Sequence, residues 1–223
     1  MARFMPKWVQ SLFSVDPAAM NAFSGFLVIS YQHPFQLAIL FAVPIAAATA
    51  LLAGDVEQRT MGLILSRPVS RFTVVLAASI VCLAWPALAV MCSVGGTISG
   101  MRWTQLPDPV NLRVLGMVAL NLYLLAAALT SITLAISAMH DERGDSIGWA
   151  VTISLLMYVW NFLAQLWATS GSIPNFSLFR YYSPASILLR GATPTHDLII
   201  LGSVAAAALV FSAIVFRLRD ITV

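Results

Sequence analysis

The sequence has very little charge: only 9% of its 223 residues are Asp, Glu, Lys or Arg, whereas 60% are hydrophobic. A soluble domain carries about a quarter charged residues. The mean hydropathy of +0.88 also indicates a strongly apolar chain. A soluble domain is therefore excluded, and the composition indicates an integral membrane protein whose surface is mostly in contact with lipid.

Cysteine and clustered basic residues are also scarce. Cys82 and Cys92 lie in one apolar run, about 15 Å apart along a helix, which is too far for a disulfide; both are expected to be buried packing residues. The net charge is only +3, and no Lys/Arg cluster marks one face, so no nucleic-acid partner is expected. No glycine-rich Gly-Lys-Ser/Thr loop is present, so this chain is not expected to bind ATP.

Catalytic and metal-ligating patterns are missing as well. The three histidines are scattered outside the apolar runs, and the apolar runs hold no ionisable residue that would mark a proton or ion relay. The group His140-Asp141-Glu142 lacks the Cys/His spacing of a zinc site and is interpreted as a solvated loop. No catalytic residue and no metal site are predicted, and the chain is not expected to be an enzyme.

Long apolar runs are what the sequence has in abundance. A membrane-spanning helix needs about 20 predominantly apolar residues. Five runs meet this requirement, so the predicted fold is an all-α integral membrane protein with five transmembrane helices, at residues 35–53, 72–100, 115–139, 147–168 and 198–216.

Residues 1–34 are predicted to form a separate interfacial or extracytoplasmic segment before a transmembrane domain at 35–223. Apolar side chains at helical spacing between Phe4 and Phe13 indicate an amphipathic helix lying in the membrane interface. Asp16-Pro17 is a typical helix start, and the helix that follows, to about residue 31, is short for a crossing. A tilted or re-entrant sixth span remains the alternative.

Connections between the runs are of two kinds. Residues 54–71 and 140–146 are compact and charged, whereas the others are rich in Pro, Ser and aromatic residues, with a short helix predicted at Pro184–Arg190. Six basic residues fall on each side of the membrane, so the positive-inside rule does not choose an orientation.

The charged insert GDVEQRTMGLILSRPVSR, residues 54–71, is predicted to be a short amphipathic helix that Pro68 ends. It is either an interfacial turn or a docking element that presents one face to a partner. Its order of residues resembles the segment after the second membrane helix of ABC-2 type transporter permeases, and the ending FRLRDITV is similar too. Arg59 departs from the glycine that the family usually has before the threonine.

The resemblance implies that this segment is a cytoplasmic coupling helix that engages a separate ABC ATPase. The residues that it assigns to coupling are Asp55, Glu57, Arg59, Thr60, Met61, Leu63, Ile64, Arg67, Pro68 and Arg71.

The resemblance further implies a permease subunit of an ABC exporter in the bacterial inner membrane, with ATP and Mg bound by the partner and with a second permease copy or a related permease beside it. No cofactor is expected in this chain. The family has six spans, so the first would come from another chain or the N-terminal region would be arranged unusually. A non-transport membrane anchor or assembly subunit is the alternative function.

Neutral polar residues within the spans are weaker candidates for a substrate path, because interhelical hydrogen bonding is their commoner role. These candidates are Asn121, Thr130, Thr133, Asn161 and Gln165.

Overall fold

The computed structural model describes residues 23–66, 69–104, 110–167 and 176–219, and this part of the chain consists of helices joined by short connections, without a strand. We number its helices in chain order. They are α1 (Phe23–Gln32), α2 (Pro34–Thr49, continued by a π-helical turn Ala50–Gly54 and by Asp55–Glu57), α3 (Thr60–Leu65), α4 (Arg71–Thr104), α5 (Leu112–Met139), α6 (Arg143–Trp167), α7 (Pro184–Arg190) and α8 (Thr195–Leu218).

Five of these helices are long and apolar enough to cross a membrane, namely α2, α4, α5, α6 and α8. This confirms the five predicted spans. Each helix extends beyond its predicted span at one or both ends, because the sequence prediction stopped at charged or polar residues, whereas the helical hydrogen bonding continues past them. The predicted helix Pro184–Arg190 is confirmed as α7, which Gly191 ends in a left-handed conformation at φ 63°.

α5 is the centre of the bundle. In its apolar span 72% of the residues are buried, against 6% in α6. α8, α4 and α2 all pack on α5, and small side chains on α5, such as Ala126 and Ala128, allow this close approach. α6 therefore lies at the edge of the bundle, where most of its surface faces outward.

The two ends of the bundle carry different structures. One end holds α3, the turn between α5 and α6 and the end of α8. We call it the coupling end, because it contains the segment to which the resemblance assigns a coupling role. α1, α7 and a 3-10 turn, Leu178–Tyr181, lie at the other end. There the Tyr182 hydroxyl donates to the Tyr31 carbonyl over 2.9 Å. The pKa of Tyr182 is raised, mainly by burial and to a smaller extent by the nearby Tyr31 phenol.

Two further predictions can be compared with this fold. Cys82 is buried as predicted, but Cys92 is exposed on α4, because the prediction assumed that a helix within an apolar run is buried all round. The predicted interfacial helix between Phe4 and Phe13, and the helix start at Asp16-Pro17, lie outside the described residues. The helix expected to follow is present as α1.

Candidate coupling site

The first span does not stop at the membrane boundary that the sequence predicts. Its helix widens into a π-helical turn and then continues to Glu57. The backbone N–H of Ala53, within this turn, donates to the Ser137 hydroxyl on α5 over 3.0 Å. A buried polar contact on α5 therefore supports the turn, and Asp55 and Glu57 belong to the end of the spanning helix rather than to a separate one.

The end of α2 also contacts the start of α6. The Arg143 side chain lies beside Gly54, where a Cβ would be in ordinary van der Waals contact with it, 3.4 Å from Arg143 Cδ. The Glu57 carboxylate accepts a hydrogen bond from the backbone N–H of Arg143 over 2.8 Å. Because Arg143 is the first residue of α6, this carboxylate satisfies an N-terminal N–H and lies at the favourable end of the helix dipole.

A tight turn connects α2 to α3. The Thr60 hydroxyl contacts the Asp55 carboxylate at 3.0 Å and the Asp55 carbonyl at 3.1 Å. Between them Arg59 takes φ 57°, in the left-handed region. Glycine adopts this conformation without strain, whereas a residue with a Cβ does not. The geometry of the turn therefore explains why glycine suits the position that Arg59 occupies.

Met61 and Leu63 on α3 have opposite surroundings. Met61 is 1% exposed and packs with Ala48, Leu52 and Phe216 in a cluster at the coupling end. Leu63 is 72% exposed. The apolar patch predicted for this helix is thus divided, because Met61 anchors the helix while Leu63 faces away from the protein.

The other predicted coupling residues differ in their surroundings. Glu57 and Arg59 are exposed, whereas Asp55, Thr60 and Arg71 are half-buried. Ile64 lies within α3, and Arg67 and Pro68 lie outside the described residues. The contact of this set with an ATPase stays a prediction.

Arg71 and Arg219 connect the coupling end to the end of the chain. The Arg71 guanidinium donates to the carbonyls of Arg217 and Arg219. The Arg219 guanidinium donates to the Ala138 carbonyl over 2.9 Å and to the His140 carbonyl over 2.8 Å, and it pairs with Asp141. Thus α4, α8 and the turn after α5 are bonded to one another at this end.

Sequence reasoning missed part of this site, because it did not name Ser137, Arg143 or Arg219 as members. The charged turn HDERGDS, residues 140–146, and the Arg-Asp ending are both visible in the sequence. Nothing in the local sequence, however, shows that these segments meet each other across about 80 residues of chain.

A comparison with known families decides which family the chain represents. The sequence model described as "ABC-2 family transporter protein" matches residues 1–221. The chain belongs to the ABC-2 transporter family. No curated protein matches it. As an ABC-2 permease it is an integral membrane protein and the membrane permease of an ABC transporter, and its family implies association with an ABC ATPase subunit.

The structure separates the candidate path residues of this ABC-2 permease into two groups. Asn121 is fully buried, where its side-chain amide donates to the Tyr181 carbonyl over 2.9 Å and accepts from the Ser183 N–H over 3.1 Å. Thr130 and Thr133 donate to carbonyls of their own helix. All three side chains therefore have structural hydrogen bonds inside the protein.

The second group lies at a cavity. Asn161 and Gln165 on α6 line a cavity of about 240 Å³ together with Gln32 and Tyr182. The structure therefore brings these two candidates together, at the end of the bundle opposite the coupling end. That any of the five candidates lines a substrate path stays a prediction.

Proposed function

We propose that this permease is the membrane-spanning subunit of an exporter and that a separate ABC ATPase drives it by contacting residues 54–71, the coupling segment. The observation that carries the proposal is the structure of α3, in which buried Met61 fixes the helix to the bundle and exposed Leu63 is available to a partner. A helix with this arrangement fits the helix-in-groove mode of recognition.

The exposed face of the coupling segment has the chemistry of a docking surface. Leu63 supplies an apolar contact, and Glu57 and Arg59, both exposed, supply charges of opposite sign beside it. An apolar anchor with a polar rim is the usual composition of a protein interface.

Movement of the coupling segment would reach several spanning helices. It is continuous with α2, it contacts α6 through Glu57, and it contacts α8 through Arg71. Because the Glu57 carboxylate bonds the first N–H of α6, a displacement of the segment would alter the position of α6 relative to α2. We infer that this displacement is the coupling step of transport.

The energy for the cycle would come from the partner. ATP and Mg would be bound by the ATPase subunit, and this permease would act with a second copy or with a related permease in the bacterial inner membrane. In this arrangement the coupling end faces the cytoplasm and the end that carries α1 and α7 faces outward.

The test is co-purification of the partner ATPase with tagged permease variants. Leu63→Asp places a charge on the exposed apolar contact without changing the core, and we expect it to reduce the retained ATPase at least tenfold, since a desolvated anchor residue contributes on the order of 2 kcal/mol to binding. Leu112→Asp is the matched control, because Leu112 is 61% exposed at the opposite end of the bundle.

Normal ATPase retention by Leu63→Asp would contradict the proposed docking surface. Equal losses in both variants would show that the substitution acts through folding or membrane insertion. Co-purification of the wild-type chain with a complex that holds no ATPase would instead support the membrane-anchor function.

A further inference from the structure

A groove between α2 and α6 opens toward the surrounding membrane. Its apolar part has a volume of about 370 Å³, and its lining includes Leu37 and Phe41 from α2 and Val151, Leu155 and Tyr158 from α6. Because only 6% of the α6 span is buried, this part of the groove is open to lipid. Volumes of several hundred Å³ with an apolar lining are typical of small-molecule sites.

Two polar cavities lie beside the apolar part and share lining residues with it. Tyr158 and Phe179 line both the apolar part and the cavity of about 240 Å³ that holds Gln32 and Asn161. Phe179 also lines a third part of about 320 Å³. The apolar section lies within the spans, and the polar section lies at the end of the bundle where α1 and α7 pack together.

Two arginines line the polar region, and one acid lies at its edge, where the Ser183 hydroxyl donates to Asp197 over 3.4 Å. Arg180 and Arg190 both line its third part, and the ion pairs within the described ranges involve neither of them. The side-chain oxygen of Gln32 is buried there and accepts no hydrogen bond from a described residue. A ligand that fits this region presents an anion to the two arginines and a hydrogen-bond donor to Gln32.

We propose that this groove binds an anionic phospholipid of the surrounding bilayer, with an acyl chain in the apolar part and the phosphate at Arg180 and Arg190. Arginine recognises phosphate through paired N–H donors, and basic pockets between membrane helices bind anionic headgroups. A glycerol headgroup supplies the hydroxyl donor for Gln32. The inference is independent of the ATPase and of the direction of transport.

A small soluble phosphate compound would contact only the polar part of the groove. The largest lining surface is apolar and lies at membrane depth, where a small soluble anion finds no contact. A diacyl lipid fills both sections, since its charge and its hydrocarbon are separated along one molecule, as they are along the groove.

The test is native mass spectrometry of the delipidated chain in a neutral detergent, titrated with phosphatidylglycerol or with phosphatidylcholine of identical acyl chains. We expect the first phosphatidylglycerol to bind about tenfold more tightly than phosphatidylcholine. The double variant Arg180→Gln/Arg190→Gln should lose this preference. Arg102→Gln, which removes an exposed arginine at the same end outside these lining residues, should keep it.

A second pair of variants tests the apolar part. Ala38 is exposed and lines the groove on α2, so Ala38→Phe should fill it and weaken the first binding event of both lipids. Ala84→Phe, on the exposed face of α4, adds the same bulk elsewhere and should leave binding unchanged. Equal affinity for both lipids, or an unchanged preference in the double arginine variant, would overturn the proposal. Displacement of the lipid by glycerol phosphate alone would overturn it in favour of a free-anion site.

Discussion

Glu57 accepts a hydrogen bond from the backbone N–H of Arg143 over 2.8 Å, and this bond joins the end of α2 to the start of α6 across 86 positions of the chain. The Arg143 side chain also lies beside Gly54, one helical turn earlier. The two helices that border the lipid-facing groove are therefore bonded to each other at the coupling end. This contact gives the coupling segment a direct connection to α6.

Removal of the Glu57 carboxylate should weaken this connection. We expect Glu57→Ala to lower the free energy of unfolding by about 1 kcal/mol, the usual cost of losing a side-chain cap at a helix N-terminus. Glu57→Gln should lose less, because its amide oxygen still accepts a hydrogen bond. Denaturant titration in detergent micelles measures both, with Gln58→Ala at the exposed neighbouring position as the control. An equal effect of Ala and Gln at position 57 would contradict the capping role.

The positive φ of Arg59 predicts a stabilising substitution. Arg59→Gly should raise the free energy of unfolding by about 1 kcal/mol, because glycine takes the left-handed conformation without the steric cost of a Cβ. Arg59→Ala removes the same charge but keeps the strain, so it should remain close to wild type. If Ala stabilised the protein as much as Gly, the charge of Arg59 rather than its backbone would be responsible.

The bonds of Arg219 allow its carbonyl contacts to be separated from its ion pair. Its side chain is 13% exposed, whereas that of Asp141 is 74% exposed. Exposed ion pairs contribute little to the free energy of unfolding, so Asp141→Asn should have no measurable effect on stability. Arg219→Ala leaves the Ala138 and His140 carbonyls without this donor and should cost about 1–3 kcal/mol. Comparable losses from both variants, in the same unfolding assay, would show that the ion pair is the dominant contact.

Asn121 should act as a structural residue. Asn121→Leu removes both hydrogen bonds to the segment 181–183 and should lower the free energy of unfolding by about 1–3 kcal/mol. Thr133→Val is the matched control, since Thr133 donates only to a carbonyl of its own helix, and it should change stability far less. Normal stability of Asn121→Leu together with a specific transport defect would favour the substrate-path prediction for this residue.

The raised pKa of Tyr182 predicts a dependence of stability on alkaline pH. In the unfolded chain the Tyr182 phenol ionises near pH 10. In the folded chain it stays protonated to higher pH, mainly because it is buried and to a smaller extent because of the Tyr31 phenol. The contribution of the protonated Tyr182 to the free energy of unfolding is thus fully present below about pH 10, and it is lost as the pH rises above that value.

Tyr182→Phe isolates this effect. The variant loses the hydrogen bond to the Tyr31 carbonyl and should be less stable at neutral pH, but its stability should fall less steeply above pH 10 than that of the wild type. Parallel pH profiles of the two proteins, measured by thermal unfolding, would contradict the assignment to Tyr182.

Local sequence signals predicted the secondary structure well. Apolar runs of the required length located all five spans, and the short helix predicted at Pro184–Arg190 is α7, since hydropathy and helix-capping preferences act within a few residues. The end of α2 could not be predicted in the same way. Asp55 and Glu57 are charged, so the sequence predicts that the span ends before them. The helix continues through them because Ser137 and Arg143 supply hydrogen-bond partners from other helices.

The sequence alone determined that this chain is a five-span helical membrane protein with a charged segment at residues 54–71, because an apolar chain with so few charges can satisfy its backbone in lipid only as helices. Only the tertiary structure decided that Met61 faces inward while Leu63 faces outward, that Asn121 bonds a distant loop, and that a cavity lined by Arg180 and Arg190 lies near the groove between α2 and α6. These relationships depend on which helices pack together, and that choice is set by contacts between residues far apart in the chain.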